Sequence, residues 1–250
     1  MLMTVSGFFS GSGMNRSITF AFPAYNESEN IRTMVCDAVK VGSSLADDIE
    51  VIVVDDGSRD ATADEVRALQ ASEPRVRLLV HERNLGYGSA VFTGLTNASK
   101  ELVVLTDADR QFDLSELPAL LAKIDSHDLV VGYRAPRRDP LVRRLNGAAW
   151  SAVVTLLFGY TCRDVNCAFK MMHRRVIDRL KDEVESRGAT FSAEFLVRAK
   201  RAGFRIGEVP VRGHRPRVAG RQTGARLDVI ARAFAELIRL RIHLWREGRG

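Results

Sequence analysis

Asp107 and Asp109 stand one residue apart in L-V-V-L-T-D-A-D-R-Q-F, residues 102–112, and Gln111 follows at the same spacing. Two carboxylates and a carboxamide at alternate positions concentrate hard oxygen donors. Such a set suits Mg²⁺ or Mn²⁺ when a diphosphate fills the remaining coordination. The apolar run before them, Leu102 to Leu105, has the length and branching of a strand buried on both faces of a parallel sheet. In open α/β sheets ligands sit off the carboxyl ends of the strands, which is where these acids fall. Aspartates in that place also make ordinary turns, so the reading depends on company. Asp55 and Asp56 supply it, in D-D-G-S-R-D directly after a second apolar run, Ile49 to Val54. Two acidic strand ends in one sheet face one crevice.

The surrounding elements follow from periodicity. A strand over Ile18 to Phe22 ends at Pro23, which has no N–H to give a central ladder. Then P-A-Y-N-E-S-E-N leads into a helix that Asn26 is placed to cap, with Ile31, Met34, Val35, Ala38 and Val39 as its buried stripe. A helix from about Asp60 and a strand over Val76 to Val80 come next. Gly86-x-Gly88 imitates a dinucleotide fingerprint, but Val91 fills the place of its third small residue. Ser115 is placed to cap a helix with Leu117, Leu120, Leu121 and Ile124 on one side. A strand over Leu129 to Tyr133 carries Arg134 at its end. A basic linker then leads to an apolar helix from Asn146. C-R-D-V-N-C-A-F-K reads as a polar turn into a strand or helix. Thr190 to Ala202 reads as a helix bearing Glu194, and Ile206 to Val211 as a last strand. An arginine run, R-G-H-R-P-R-V-A-G-R, precedes an amphipathic tail from Ala225 to Trp245.

Residues 1–133 carry 11 Lys+Arg against 20 Asp+Glu, whereas residues 134–250 carry 26 against 11. The front half is built for cations and the back half for anions, such as phosphate groups or an acidic membrane surface. The basic residues come without interleaved exposed aromatics or a nucleic-acid-binding motif, which argues against nucleic acid. Cys36, Cys162 and Cys167 form no C-x-x-C pair and are odd in number, so the sequence suggests neither a disulfide framework nor a zinc site, and a reducing cytoplasm fits. No apolar run approaches the roughly 18–20 residues of a membrane span. Residues 1–15 read as a disordered leader with Met14 as an alternative start, 16–224 as one α/β domain, and 225–250 as an amphipathic C-terminal helix.

Taken together, P-A-Y-N-E, V-V-D-D-G-S-R-D-A-T, R-N-L-G-Y-G-S-A, D-A-D-R-Q, V-G-Y-R, D-V-N-C-A-F-K and V-P-V followed by R-V-A-G resemble the family-two glycosyltransferases of the GT-A fold. The resemblance is to the dolichol-phosphate mannose synthase and polyprenyl-phosphate sugar synthase branch. It implies an α/β fold with a mostly parallel central sheet flanked by helices. It also implies a nucleotide pocket at Pro23, Tyr25, Glu27, Asp55, Asp56 and Asp107, and a metal site at Asp107, Asp109 and Gln111. By the same resemblance Arg134, Arg143 or Arg144, and Arg217 hold the donor diphosphate and the acceptor phosphate, with Arg215 and Arg221 competing for the register of Arg217. Asp109, Arg134 and Arg217 are then the catalytic set.

The activity implied is an inverting, metal-dependent transfer from a GDP- or UDP-linked sugar to a polyprenyl phosphate. The partners implied are that donor, that acceptor, and a membrane surface or a separate anchor protein at the cytoplasmic face, with room for a homo-oligomer. A lipid phosphate is already ionised and needs no general base. A hydroxyl acceptor would need one, and Glu194 or Asp164 would be placed to serve. A nucleotidyltransferase is a further alternative, although P-A-Y-N-E stands where those enzymes carry a Gly-rich phosphate loop.

Overall fold

The computed structural model describes residues 16–135, 141–215 and 227–247, with the side chains of 141–143, 227–232 and 247 left aside. The expected leader, residues 1–15, and Arg217 and Arg221 therefore lie outside the described residues. Seven strands form one sheet: β1 (Ser17–Ala24), β2 (Asp48–Asp55), β3 (Val76–Val80), β4 (Leu102–Leu105), β5 (Leu129–Arg134), β6 (Lys170–His173) and β7 (Ile206–Val211). Their spatial order is β3-β2-β1-β4-β6-β5-β7. Neighbours pair in parallel except β6, which runs antiparallel to both β4 and β5. Six strands thus point the same way. Their carboxyl ends, Ala24, Asp55, Val80, Leu105, Arg134 and Val211, share one edge with Lys170, the first residue of β6.

The middle of the sheet is largely apolar because helices cover both faces, as the continuous hydrophobic runs require. Phe20, Phe22, Val51, Val53, Val103 and Val104 are fully buried. Helices α1 (Ser28–Leu45), α2 (Thr62–Ser72), α3 (Tyr87–Thr96) and α4 (Leu117–Ile124) follow the first four strands. Then come α5 (Leu141–Phe158), α6 (Arg174–Leu180), α7 (Phe191–Arg201) and α8 (Leu227–Glu247).

Three local expectations are corrected. β1 does not stop before Pro23 but runs on to Ala24. Its pairing with β4 ends at Ala21, so the missing N–H of Pro23 costs no ladder bond on that side. Asn26 does not cap α1. Glu27 precedes the helix, and Asn26, at φ 56°, uses its side chain elsewhere. Before α4, the Asp113 carboxylate rather than Ser115 caps a short 3₁₀ turn, accepting from the Ser115 amide at 3.0 Å.

The tail forms α8 and divides its apolar residues between two faces. Ala233, Leu237, Leu240 and Leu244 are buried, and the three leucines belong to the main core. Phe234, Ile238, Ile242 and Trp245 are exposed at helical spacing. On α5 the outward residues Leu145, Ala148, Ala149, Ala152 and Leu156 form a second exposed stripe, with Leu156 85% exposed. Trp150 meets Phe234 edge to face, 5.9 Å between centroids, and so joins the two helices. Among the described residues no helix is long and apolar enough to cross a membrane.

Candidate active site

The loops after β1, β2 and β3 are tied to one another by side chains that accept or donate across them. Asn26 N donates to Ser58 Oγ at 2.8 Å, and Arg59 N donates to Asn26 Oδ1 at 2.8 Å. Asp60 accepts from the Ser28 and Thr62 amides at 3.1 and 3.0 Å. Burial pushes the Asp60 carboxyl up, but the hydrogen bonds from Thr62 and Ser28 outweigh it and hold it below its ordinary value. Glu27 N donates to Thr62 Oγ1, and Glu27 Oε2 accepts from Asn30 Nδ2 at 2.9 Å. Tyr25 remains 38% exposed at the rim.

Asp55 and Asp56 are adjacent and equally buried, yet they do different things. Asp55 accepts from the Ser58 amide at 3.0 Å within its own turn. Asp56 reaches the next loop: it accepts from Leu85 N at 2.9 Å and Gly86 N at 2.8 Å, and lies 2.7 Å from His81 Nδ1. Its carboxylate therefore organises R-N-L-G, which leaves Asp55 the better placed of the two for a nucleotide. Gly57 makes this possible. At φ +68° it passes so close to the Arg83–Asn84 backbone that a Cβ there would stand 2.5 Å from Arg83 C.

The metal motif lies beyond β4. Asp109 is 4% exposed and accepts from the Gln111 amide at 3.1 Å, while Arg110 between them takes φ 60°. That left-handed residue reverses the chain so tightly that Asp107 and Asp109 both stay at the strand end. Gln111 is clasped from the far side of the sheet: Arg215 N donates to Gln111 O at 2.8 Å, and Gln111 Nε2 donates to Arg215 O at 3.1 Å. The chain leaving β7 is thereby docked on the metal motif, just before the arginine run.

Two residues that sequence reasoning did not single out also lie here. Tyr87, in R-N-L-G-Y-G, has its phenol pushed well above its ordinary value, first by burial of the hydroxyl, then by the charge of Asp107 and a hydrogen bond to it, then by Asp109. The residue as a whole is 39% exposed. His214 is 2% exposed and packs on Phe112, 5.2 Å between centroids, while Phe112 stacks on Phe169. A tyrosine inside a Gly-rich turn and a histidine inside an arginine run carry no local signal, because both contacts are made across the sheet.

A divalent cation at this strand end would need hard oxygen donors, which Asp107, Asp109 and Gln111 carry. Among the described residues no three His, Cys, Asp or Glu side chains form a complete cage. Mg²⁺ and Mn²⁺ are commonly held by one or two carboxylates together with substrate phosphates. Asp107, Asp109 and Gln111 fit such a cation.

The arginines are less open than their spacing suggests. Arg134 points both arms of its fork at Asp164, with Nε to Oδ2 at 2.7 Å and Nη2 to Oδ1 at 2.9 Å, both side chains 8% exposed. Arg144 is exposed on the first turns of α5. The Arg143 side chain is outside the description. Glu194 accepts from Glu185 N at 3.1 Å, Ser186 N at 2.7 Å and Arg198 Nε at 2.8 Å, so it closes the loop before α7. A cleft of about 490 Å³ opens between that loop and α8, but Glu185, Arg187, Glu236 and Arg239 line it rather than the acidic strand ends. This cleft lies apart from the acidic strand ends.

The solved structure of glucosyl-3-phosphoglycerate synthase from Mycobacterium tuberculosis with phosphoglyceric acid superposes with a TM-score of 0.67 at 23% identity, over 90% of this chain and 80% of that one. The same enzyme with Mn²⁺, UDP-glucose and phosphoglyceric acid gives 0.66 at 22% identity, over 91% and 79%. These establish the GT-A architecture. The glycosyltransferase AglD of Haloferax volcanii is 34% identical over 202 residues, 78% of this chain and 32% of that protein. A dolichyl-phosphate beta-glucosyltransferase, ALG5C, of Trichomonas vaginalis is 33% identical over 211 residues, 77% of this chain and 62% of that protein. The chain thus spans about a third and three fifths of these relatives. The family described as Glycosyl transferase family 2 matches residues 19–181, most of the sheet and both acidic strand ends. The chain belongs to glycosyl transferase family 2 and is a glycosyltransferase.

Proposed function

We propose that the chain transfers a sugar, with inversion, from a nucleoside-diphosphate donor to a polyprenyl phosphate. The observation that carries the choice of acceptor is the state of the two carboxylates placed to act as bases. Asp164 is gripped by Arg134, and Glu194 by two amides and Arg198. A hydroxyl acceptor needs a carboxylate ready to take its proton, whereas a phosphate oxygen attacks already ionised. The name of the Trichomonas relative points to the same acceptor class.

In this reading Tyr25, Glu27 and Asp55, with Pro23 beneath them, receive the nucleotide. Asp107, Asp109 and Gln111 hold Mg²⁺ or Mn²⁺. The cation neutralises the leaving diphosphate when bound. Tyr87 orients Asp107. Asp56 keeps the R-N-L-G loop closed over the donor side. Arg134, Arg143 or Arg144, and Arg217 supply phosphate-matching forks on the acceptor side. Asp109, Arg134 and Arg217 remain the catalytic set.

We place the enzyme peripherally at the cytoplasmic membrane face. The exposed stripes of α5 and α8 are joined through Trp150 and Phe234, and Arg144, Arg239, Arg241 and Arg246 are exposed on the same two helices. Apolar stripes bordered by arginine are how interfacial helices hold anionic lipid, at about 1 kcal/mol per basic residue near the surface. The free cysteines fit a reducing compartment.

The test is a donor screen for nucleotide release with Mn²⁺ and a short polyprenyl phosphate, alongside vesicle flotation. Release should require both metal and lipid phosphate. Flotation should need anionic lipid, fade with salt, and drop when the exposed Ile238 and Trp245 are replaced by Ser, which leaves the core leucines of α8 in place. Release driven by a sugar or lipid hydroxyl would sink the acceptor assignment. Indifference to anionic vesicles at low salt would assign the membrane contact to a partner protein.

A further inference from the structure

Lys170 opens β6 at the carboxyl edge of the sheet, paired across from Leu105, two residues before Asp107. It is 2% exposed, and its Nζ donates to the Cys167 carbonyl. Cys167 belongs to a turn closed by its own amide on Asp164 O at 3.0 Å, and that turn presents the carboxylate that grips Arg134. Lys170 thus braces the turn that presents Asp164, and its register opposite Leu105 puts it at the strand end that carries Asp107. Burial pulls Lys170 below its ordinary value, while Cys167, Cys162, Asp164 and Asp107 pull it back towards protonation. Burial holds the two thiols up, near 11 for Cys162 and 12 for Cys167, so the carboxylates are its real counter-charges. Packing does not demand a lysine. Met171 and Met172, next along β6, are fully buried and show that the strand accepts unbranched apolar side chains of like length. A buried ammonium is costly to desolvate, so its presence asks for a role that methionine could not fill.

We propose that Lys170 is a positioning residue of the transfer site: from beneath, it fixes the Asp164–Cys167 turn that aims Arg134, and its charge tempers the pull of Asp107 on the divalent cation. This rests on the reading of Asp107 and Asp109 as cation ligands. A tempered site lets the cation depart with the nucleoside diphosphate after transfer, which a bare pair of buried carboxylates would resist.

Two full-length variants separate hydrogen bond from charge. Lys170→Met removes both, and Lys170→Gln keeps a donor for Cys167. Each is melted, titrated with Mn²⁺ alone by the loss of the free-ion paramagnetic signal, and assayed for kcat and KM. Both should melt within a few degrees of the natural chain and bind Mn²⁺ about fivefold more tightly, the effect of removing one screened like charge. Lys170→Met should lose about tenfold in kcat with donor KM unchanged, and Lys170→Gln about threefold or less. Unchanged Mn²⁺ affinity in a folded variant overturns the proposal. So does failure of both variants to fold, since Lys170 would then serve stability alone. If the natural chain itself binds no Mn²⁺, the cation reading falls and takes this one with it.

Discussion

The acidic and the basic halves of this site use their charges in opposite ways. On the donor side Asn26, Asp55, Asp56 and Asp60 spend their oxygens mainly on backbone amides, stitching the loops after β1, β2 and β3 into one piece. On the proposed acceptor side arginines meet carboxylates: Arg134 with Asp164, Arg198 with Glu194, which also takes two amides, and Arg215 with Asp113. Amides cannot leave a folded backbone, so the donor cradle is fixed before any ligand arrives. An ion pair can exchange partners, so a phosphate entering the second half competes with a carboxylate already in place.

The sharpest test of this contrast removes a carboxylate from the donor side whose backbone bond, from the Gln111 amide, stays within its own turn. Asp109→Ala should leave the melting temperature within a few degrees and reduce transfer by about 100- to 1000-fold, as loss of one element of transition-state charge stabilisation does. Nucleotide release and a thermal melt measure both effects. If activity survives, Asp109 does not hold the cation.

Next in size is the buried pair. Asp164→Ala leaves the Arg134 guanidinium at 8% exposure without its carboxylate and should cost about 3–5 kcal/mol in chemical denaturation. A paired Arg134→Met with Asp164→Leu should recover much of that stability but no activity. Recovery of both would make the pair mere packing.

Asp56→Ala should be milder for stability, about 2 kcal/mol, because water can reach the exposed loop it organises. Its signature is kinetic. Donor KM should rise with kcat changed less, since the R-N-L-G loop is no longer closed. An equal fall in kcat and kcat/KM would place Asp56 at the reacting groups instead.

The smallest effect is acid sensitivity of the donor cradle. Asp60 has a folded pKa below its ordinary 3.8, so its stabilisation is complete above that value and is lost as pH falls through the folded one. Glu50 behaves likewise: burial pushes it up, and Arg77, Ser99 and Thr19 more than offset it. Melting temperature should therefore drop below about pH 4, and Asp60→Asn should flatten part of that slope. An unchanged slope would separate the loop stitching from stability.

Much of this arrangement can be read from residues near one another in sequence. Leu102–Leu105 is an apolar run whose observed bounds match its pattern because burial on both faces leaves no alternation to blur them, and the edge strands Val76–Val80 and Ile206–Val211, only partly buried, also keep the bounds of their runs. The acids at the ends of β2 and β4 follow from the same runs. What escapes is whatever depends on a partner distant in sequence. β6 is four residues long and starts with lysine, so K-M-M-H looks like neither a strand nor a helix until β4 and β5 flank it. Asn26 has the chemistry of a helix cap but is drawn off by Ser58 and Arg59. Asp55 and Asp56 are indistinguishable in sequence and divide their roles only through where the R-N-L-G loop lies. The single apolar face read in the tail splits in two because the core takes only the Leu237, Leu240 and Leu244 side of α8.

The backward strand β6 bears on how such enzymes can diverge. Because it runs against its neighbours, the chain re-enters the sheet at the carboxyl edge, and the segment from Gly159 to Phe169 reaches the site without a crossover helix of its own. Insertions or exchanges there leave the register of the other six strands untouched. The nucleotide cradle has no such liberty, since Asn26, Asp56 and Asp60 bind three loops into one unit and a change in any of them disturbs the rest. Descendants of this scaffold can therefore be expected to inherit their donor handling and to experiment with acceptors.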